Sequence, residues 1–264
     1  MQKESWNQLR INKSMVRDKP YFVLGANFGP FTDELFYKQH YELFKGYTDI
    51  CFRDNYSYEL FKNLDNVRKA DDIVFQLDSR HPVKIEKYIV ISVIKPSFRK
   101  NLSDCDDIYF QKIKDITVYF INNGYEVTLM SFCGNEGDQE AIDKIAKIIP
   151  SEKRDSVRKY YYKSNVTEAL KVISSSSYVI ATRFHAMILG WLYNKPVFPI
   201  SYSEKMNNVM ADIGYRGSYI DLKRIQSLKV VNVYYGLKTN FVNITFQINN
   251  SEKHFKILDK FLLS

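Results

Sequence analysis

The sequence predicts a bilobal α/β protein with a parallel sheet, and three observations carry that prediction. Strand-like and helix-like segments alternate from Tyr88 to Ile200, which calls for a parallel sheet with right-handed crossovers. The stretch Tyr88 to Ile94 is apolar at nearly every position, as expected of a parallel strand covered on both faces. Leu77 to Lys87 has no strong apolar period and reads as a linker. The predicted domains are residues 1–80, a partial N-terminal α/β domain, and residues 81–264.

In the first domain, Pro20 to Asn27 reads as a strand ending in a Gly29-Pro30 turn, and Thr32 as the cap of an amphipathic helix from Asp33 to Lys45. Tyr47 to Phe52 is the next strand, followed at its end by Arg53. Asp54 is placed to cap a helix running to about Leu64, and Ala70 to Phe75 is read as a third strand. His81 is expected to be an exposed linker residue.

In the second domain, Pro96 to Ser103 reads as a polar loop, and a helix follows from Asp104 or Asp106 until Asn122-Asn123-Gly124 stops it. Tyr125 to Ser131 is a strand, Cys133 to Asp138 a turn, Gln139 to Ile148 a helix, Val157 to Tyr162 a strand and Asn165 to Ile173 a helix. Tyr178 to Ala181 is a strand with Thr182 as N-cap of the next helix, which Asn194 closes ahead of Pro196. Val197 to Ile200 is a strand leading to a helix start at Ser203. Beyond it, Asp221 to Tyr235 is expected to be helical, Phe241 to Ile248 a strand or irregular segment, and Ser251 the cap of a closing helix. His254 is expected on the surface of that helix.

Composition narrows the function. Of 264 residues, 45% are hydrophobic and 26% charged, which argues against disorder. No apolar run is long enough to span a bilayer and the first residues do not form a signal peptide, so the expected location is the cytoplasm, with association at the inner membrane face and oligomer formation both left open. Cys51, Cys105 and Cys133 lack metal or disulfide spacing, and no metal site is expected. The net charge of +8 favours acidic partners, but the lysines are dispersed and no nucleic-acid motif is present, so nucleic acid is not expected.

The candidate site lies where strands hand over to helices. Arg183 and His185 are expected in a first helical turn and Lys205 at the next helix start, where backbone N–H groups and the helix dipole favour a phosphate or carboxylate. Arg53 ends a strand in the same way. The alternative for these cations is a solvated surface charge or, for Arg53, a salt bridge with a nearby carboxylate.

Arg183-Phe184-His185-Ala186, followed past a Pro-containing strand by Tyr202-Ser203-Glu204-Lys205, resembles the polysaccharide pyruvyl transferase family. Gly29-Pro30-Phe31, Arg53-Asp54-Asn55-Tyr56-Ser57 and Asp72-Ile73-Val74-Phe75 extend the resemblance over about residues 20–220. The resemblance implies two Rossmann-like domains with parallel sheets facing a cleft, a GT-B-like pair, with an N-terminal domain shortened ahead of Gly29. It also implies transfer of a pyruvyl group from phosphoenolpyruvate to a glycan or lipid-linked saccharide acceptor, without a cofactor. His185 would be the proton donor, and Arg53, Arg183 and Lys205 would hold the donor's anions. Asp54, Gly29 and Tyr202 would have supporting roles. The competing expectations are a GT-B glycosyltransferase using a nucleotide sugar and a non-catalytic glycan-binding or assembly relative.

Overall fold

The computed structural model describes residues 19–29, 31, 33–78 and 85–264. They form two compact units, one of the described residues up to 76 together with 245–264 and one of the described residues from 77 to 244. Thr32 and His81 lie outside the described residues.

The first unit holds a parallel sheet of β1 (Phe22–Ala26), β2 (Asp49–Phe52) and β3 (Val67–Lys69), in that order. The crossovers are α1 (Glu34–Phe44) and α2 (Asn55–Phe61). Asp33 caps α1 by accepting from the Leu35 amide at 2.9 Å, and Asp54 caps α2 by accepting from Ser57 at 2.7 Å. The core is aromatic: Phe61 meets Phe28 and Phe44 with ring centroids 4.8 and 4.9 Å apart, both in T-shaped packing. The strand expected at Ala70 to Phe75 is instead a 3₁₀ turn, Ile73–Gln76. Asp72 turns the chain there, its carboxylate accepting from the Val74 amide at 3.0 Å.

Residues 245–264, expected in the second domain, group with the first unit. They form helices Thr245–Ser251 and Lys256–Leu262 around a 3₁₀ turn, Glu252–His254, so the segment Phe241 to Ile248 is no strand but irregular to Ile244 and helical beyond it, and Ser251 caps no single closing helix. The Ser251 hydroxyl donates to the Ile248 carbonyl and accepts from the Gln76 side chain. His254 is fully buried, not a surface residue: Nδ1 accepts from the Gly25 amide at 3.2 Å and Nε2–H donates to the Asp71 carbonyl at 2.8 Å.

The second unit is a six-stranded parallel sheet. Its strands are β4 (Tyr88–Ser92), β5 (Glu126–Met130), β6 (Val157–Tyr160), β7 (Tyr178–Ala181), β8 (Val197–Ser201) and β9 (Ile220–Asp221), in the order β6-β5-β4-β7-β8-β9. The helices are α3 (Asp106–Asn122), α4 (Asp138–Ile148), α5 (Val166–Ser174), α6 (Phe184–Leu192), α7 (Glu204–Asp212) and α8 (Val230–Thr239). This is the doubly wound arrangement, and its order reverses between β4 and β7, where such sheets open a crevice at their carboxyl ends. Every residue of β4 is buried. α6 packs tightly on the sheet because Gly190 has no side chain: a Cβ there would stand 2.6 Å from Val197. Asn194 closes α6 with φ of 53°, in the left-handed region.

Two expected elements differ. The loop Pro96 to Ser103 contains two 3₁₀ turns that bury Leu102, and Asp221 to Tyr235 splits into a 3₁₀ turn, Leu222–Ser227, followed by α8. Among the described residues, no helix is long and apolar enough to cross a membrane.

Candidate functional site

In the second unit, the carboxyl ends of β7 and β8 carry the residues singled out in the sequence, and residues beyond β4 and β5 join them. Thr182, which follows β7, is fully buried and does not cap α6. Its amide donates to Ser92 Oγ at 3.0 Å, and its hydroxyl lies 3.0 Å from the Tyr109 hydroxyl. The cap position falls one residue later, on Arg183, whose backbone is extended (φ −97°, ψ 137°) and whose side chain makes no capping bond. Arg183 therefore stands at the switch point, beside the end of β4.

The Arg183 side chain is turned inward and only 8% of the residue is exposed. Burying a guanidinium demands partners, and two carboxylates supply them. Nε donates to Asp138 at 3.0 Å, Nη2 donates to the other Asp138 oxygen, and Nη1 donates to Glu136 at 2.6 Å. These bonds use three of the five N–H donors of a guanidinium. Asp138 is fully buried and also accepts from the amides of Phe132 and Cys133, at 3.0 and 2.9 Å, just beyond β5. Burial alone would lower the Arg183 pKa, but the bonds to Asp138 and Glu136 raise it, so the group stays charged. Burial pushes the Glu136 carboxyl up, and Arg183 and Arg99 together hold it below its ordinary value.

Arg99 shares Glu136 with Arg183 and lays its guanidinium over the Tyr202 ring, 4.4 Å from the centroid. Lys205, in the first turn of α7, sits 3.9 Å above the Phe184 ring. The exposed His185 meets the same ring edge-on, with centroids 5.2 Å apart. Of the sequence-predicted residues, the structure thus gathers Arg183, His185, Lys205 and Tyr202 at one edge of one sheet. They bring a guanidinium with donors to spare, an ammonium and an imidazole, suited to holding and protonating a small anion.

Arg53, Asp54 and Gly29 belong to the first unit. Arg53 follows β2 and donates to Asp72 at 2.9 Å and to the Asn27 side chain at 2.6 Å, so the salt bridge the sequence allowed is present. Asn27 in turn donates to the Gly29 carbonyl at 3.2 Å. Gly29 has φ of +97°, which only glycine adopts readily. Asp54 is a helix cap, and its carboxylate is occupied by the Ser57 amide.

The residues missed in the sequence are Asp138, Glu136 and Arg99, with Asn27 in the first unit. A signal existed for two of them. Glu136 and Asp138 lie in the turn leaving a buried strand, the same kind of place that singled out Arg183. Among the described residues, no cluster of three or more His, Cys, Asp or Glu could hold a metal ion.

Comparison with known proteins fits this geometry. The family model described as polysaccharide pyruvyl transferase matches residues 13–204. The amylovoran biosynthesis protein AmsJ of Erwinia amylovora is 21% identical over 266 residues, which cover 93% of this chain and 64% of AmsJ, so this chain spans under two thirds of that relative. Among solved structures, the UDP-GlcNAc 2-epimerase of Methanocaldococcus jannaschii, in complex with UDP-GlcNAc and UDP, superposes with a TM-score of 0.61 at 8% identity, covering 100% of this chain and 82% of its own. A UDP-forming α,α-trehalose-phosphate synthase from Burkholderia vietnamiensis gives 0.52 at 8% identity, covering 96% of this chain and 68% of its own. At such identity these structures speak for the fold alone, which is GT-B-like with two Rossmann-like units. The family match takes in well over half of the residues, from ahead of β1 to the start of α7, and the chain belongs to the polysaccharide pyruvyl transferase family.

Proposed function

We propose that this chain transfers the pyruvyl unit of phosphoenolpyruvate to a sugar of a surface polysaccharide or its precursor, closing a ketal across two hydroxyls and releasing phosphate. The observation that carries this reading is the cluster at the carboxyl ends of β7 and β8. There Arg183 is fixed by two carboxylates with two N–H donors to spare, and Lys205 and His185 share the Phe184 ring. Phosphoenolpyruvate carries a carboxylate and a phosphate, so it needs rigid cations. A guanidinium held on one side by Asp138 presents its remaining donors without further loss of rotamer freedom.

The chemistry needs one proton donor. His185 donates a proton to the enol methylene, which becomes the methyl group, and C2 gains oxocarbenium character. One sugar hydroxyl adds to C2, the bond from C2 to the phosphate oxygen breaks, and the second hydroxyl closes the ketal. Of the two hydroxyl protons released, one restores the imidazolium and the other leaves with phosphate. A helix start and nearby cations favour neutral imidazole, so His185 takes up its proton when the highly anionic donor is bound. Arg53 is the first unit's candidate for an anion, with Asn27 and Asp72 fixing its guanidinium. The acceptor is a glycan or lipid-linked saccharide met in the cytoplasm, and no cofactor takes part.

The test is phosphate release from phosphoenolpyruvate with a panel of saccharide acceptors. The expected result is acceptor-dependent release that His185→Asn abolishes. A nucleotide sugar that raises the melting temperature, with no shift from phosphoenolpyruvate and no phosphate release, would replace this reading by glycosyl transfer.

A further inference from the structure

The β9 edge of the second unit's sheet carries a groove that the transfer chemistry does not use. It runs between α8 and the segment Gly217–Ile220, encloses about 740 Å³ and continues into a cavity of about 380 Å³ that shares Gly217, Ser218 and Thr239. The larger volume alone lies in the range of small-molecule sites.

The walls are held rigidly. Asn240, 1% exposed, accepts from the Ser218 amide at 2.8 Å and donates to the carbonyls of Ser218 and Val197 at 2.7 and 2.9 Å. The Tyr215 hydroxyl is within reach of the same two carbonyls, at 3.1 and 3.2 Å. Gly236 lets α8 close on this segment, since a Cβ there would stand 2.9 Å from the Ser218 Cβ and 3.2 Å from the Phe198 ring. Against these fixed walls the rim is open: Tyr219 is 53% exposed and Tyr235 61% exposed.

We propose that this groove is a second saccharide site, which takes an acidic oligosaccharide. A pyranose ring offers C–H faces that pack on exposed tyrosine rings, and its hydroxyls match the hydroxyl and amide groups of Ser218, Asn232 and Thr239. The two cavities are lined by Lys229 and Arg216 and by no carboxylate, which selects a ligand bearing carboxylates. A nucleoside diphosphate would need several fixed cations around its phosphates, and among the described residues lining the larger cavity Lys229 is the single cation. The pairing of this site with the transfer cluster rests on the pyruvyl transferase reading: a polymer held here is the acceptor or the acidic product of that reaction.

Calorimetric titration of the full chain with tetragalacturonate, with maltotetraose as the neutral probe and UMP as the nucleotide probe, tests it. The expected result is saturable binding of tetragalacturonate in preference to both others. Tyr235→Ala and Tyr219→Ala each weaken it by about tenfold or more, and Lys229→Gln removes the preference for the acidic sugar. Melting temperatures and phosphate release from phosphoenolpyruvate with a monosaccharide acceptor stay unchanged in all three variants. Absence of tetragalacturonate binding, binding indifferent to the three substitutions, equal binding of maltotetraose, or tyrosine-dependent binding of UMP overturns the proposal. Groove binding without any phosphate release supports the groove and sinks the transferase reading, whereas phosphate release without groove binding does the reverse.

Discussion

Arg68 and Arg183 each grip an aspartate with two nitrogens, yet they differ in what is left over. Arg68, on β3, spends all five donors of its guanidinium. Nε and Nη2 donate to Asp49 at 2.7 Å each, Nη1 to Cys51 Sγ at 3.2 Å, and the remaining two to the main-chain carbonyls of Lys253 and His254. It has nothing left for a ligand and acts as a clamp on residues 245–264. Arg183 spends three donors on Asp138 and Glu136 and stands beside the switch point of a doubly wound sheet. A bidentate aspartate is therefore common to a structural arginine and to the one proposed to hold the donor. Spare donors at a strand's carboxyl end distinguish them.

The distinction can be broken most forcefully at His185. If the carboxyl edge of the second unit is where chemistry happens, His185→Asn lowers turnover by about 10²–10⁴-fold. The urea midpoint should not move, because the side chain is exposed. Comparable turnover would remove the edge from the mechanism.

Next in size is Asp138→Ala. It strands the buried Arg183 charge and leaves two amides without their acceptor, so it should cost about 3–5 kcal/mol in urea unfolding. Arg68→Met should cost less, about 2–3 kcal/mol, because Arg68 is partly exposed, and its signature is local. Amide exchange should quicken in residues 245–264 while phosphoenolpyruvate affinity holds. Loss of donor binding in Arg68→Met would erase the contrast between the two arginines.

The smallest effect is the share of the pH dependence that His254 contributes. Burial lowers the His254 pKa, the bond to the Asp71 carbonyl opposes the shift, and Arg68 adds to it. The unfolded chain takes up a proton near the ordinary value of about 6.5 while the folded imidazole stays neutral, so stability falls as pH drops through that value and levels off below the folded one. A urea midpoint that declines from pH 7 to 5.5, with a shallower decline in His254→Gln, is the expected outcome.

Much of the second unit was legible in the sequence because β4, β7 and β8 are nearly continuous apolar runs, and Tyr178–Ala181 has the predicted boundaries. The place of Arg183 at a strand end was also legible. Its pairing was not: Asp138 and Glu136 reach it only because β5, β4 and β7 are neighbours, and local periodicity does not encode strand order. His254 was misread for a related reason. Its helical turn is polar and short, and its burial comes from contacts with Gly25 and Asp71 far away in the chain. Asp71-Asp72 ahead of an apolar triplet suggested a strand, but Asp72 caps a turn and pairs with Arg53.

The most direct measurement is calorimetric titration of phosphoenolpyruvate into the wild-type chain, Arg183→Lys and Arg68→Lys. Lysine keeps the charge and gives up the planar fork. Affinity should fall by about tenfold or more in Arg183→Lys and stay at the wild-type level in Arg68→Lys. Equal affinity in all three, or a loss confined to Arg68→Lys, would contradict the assignment of the donor site to the carboxyl edge of the second unit.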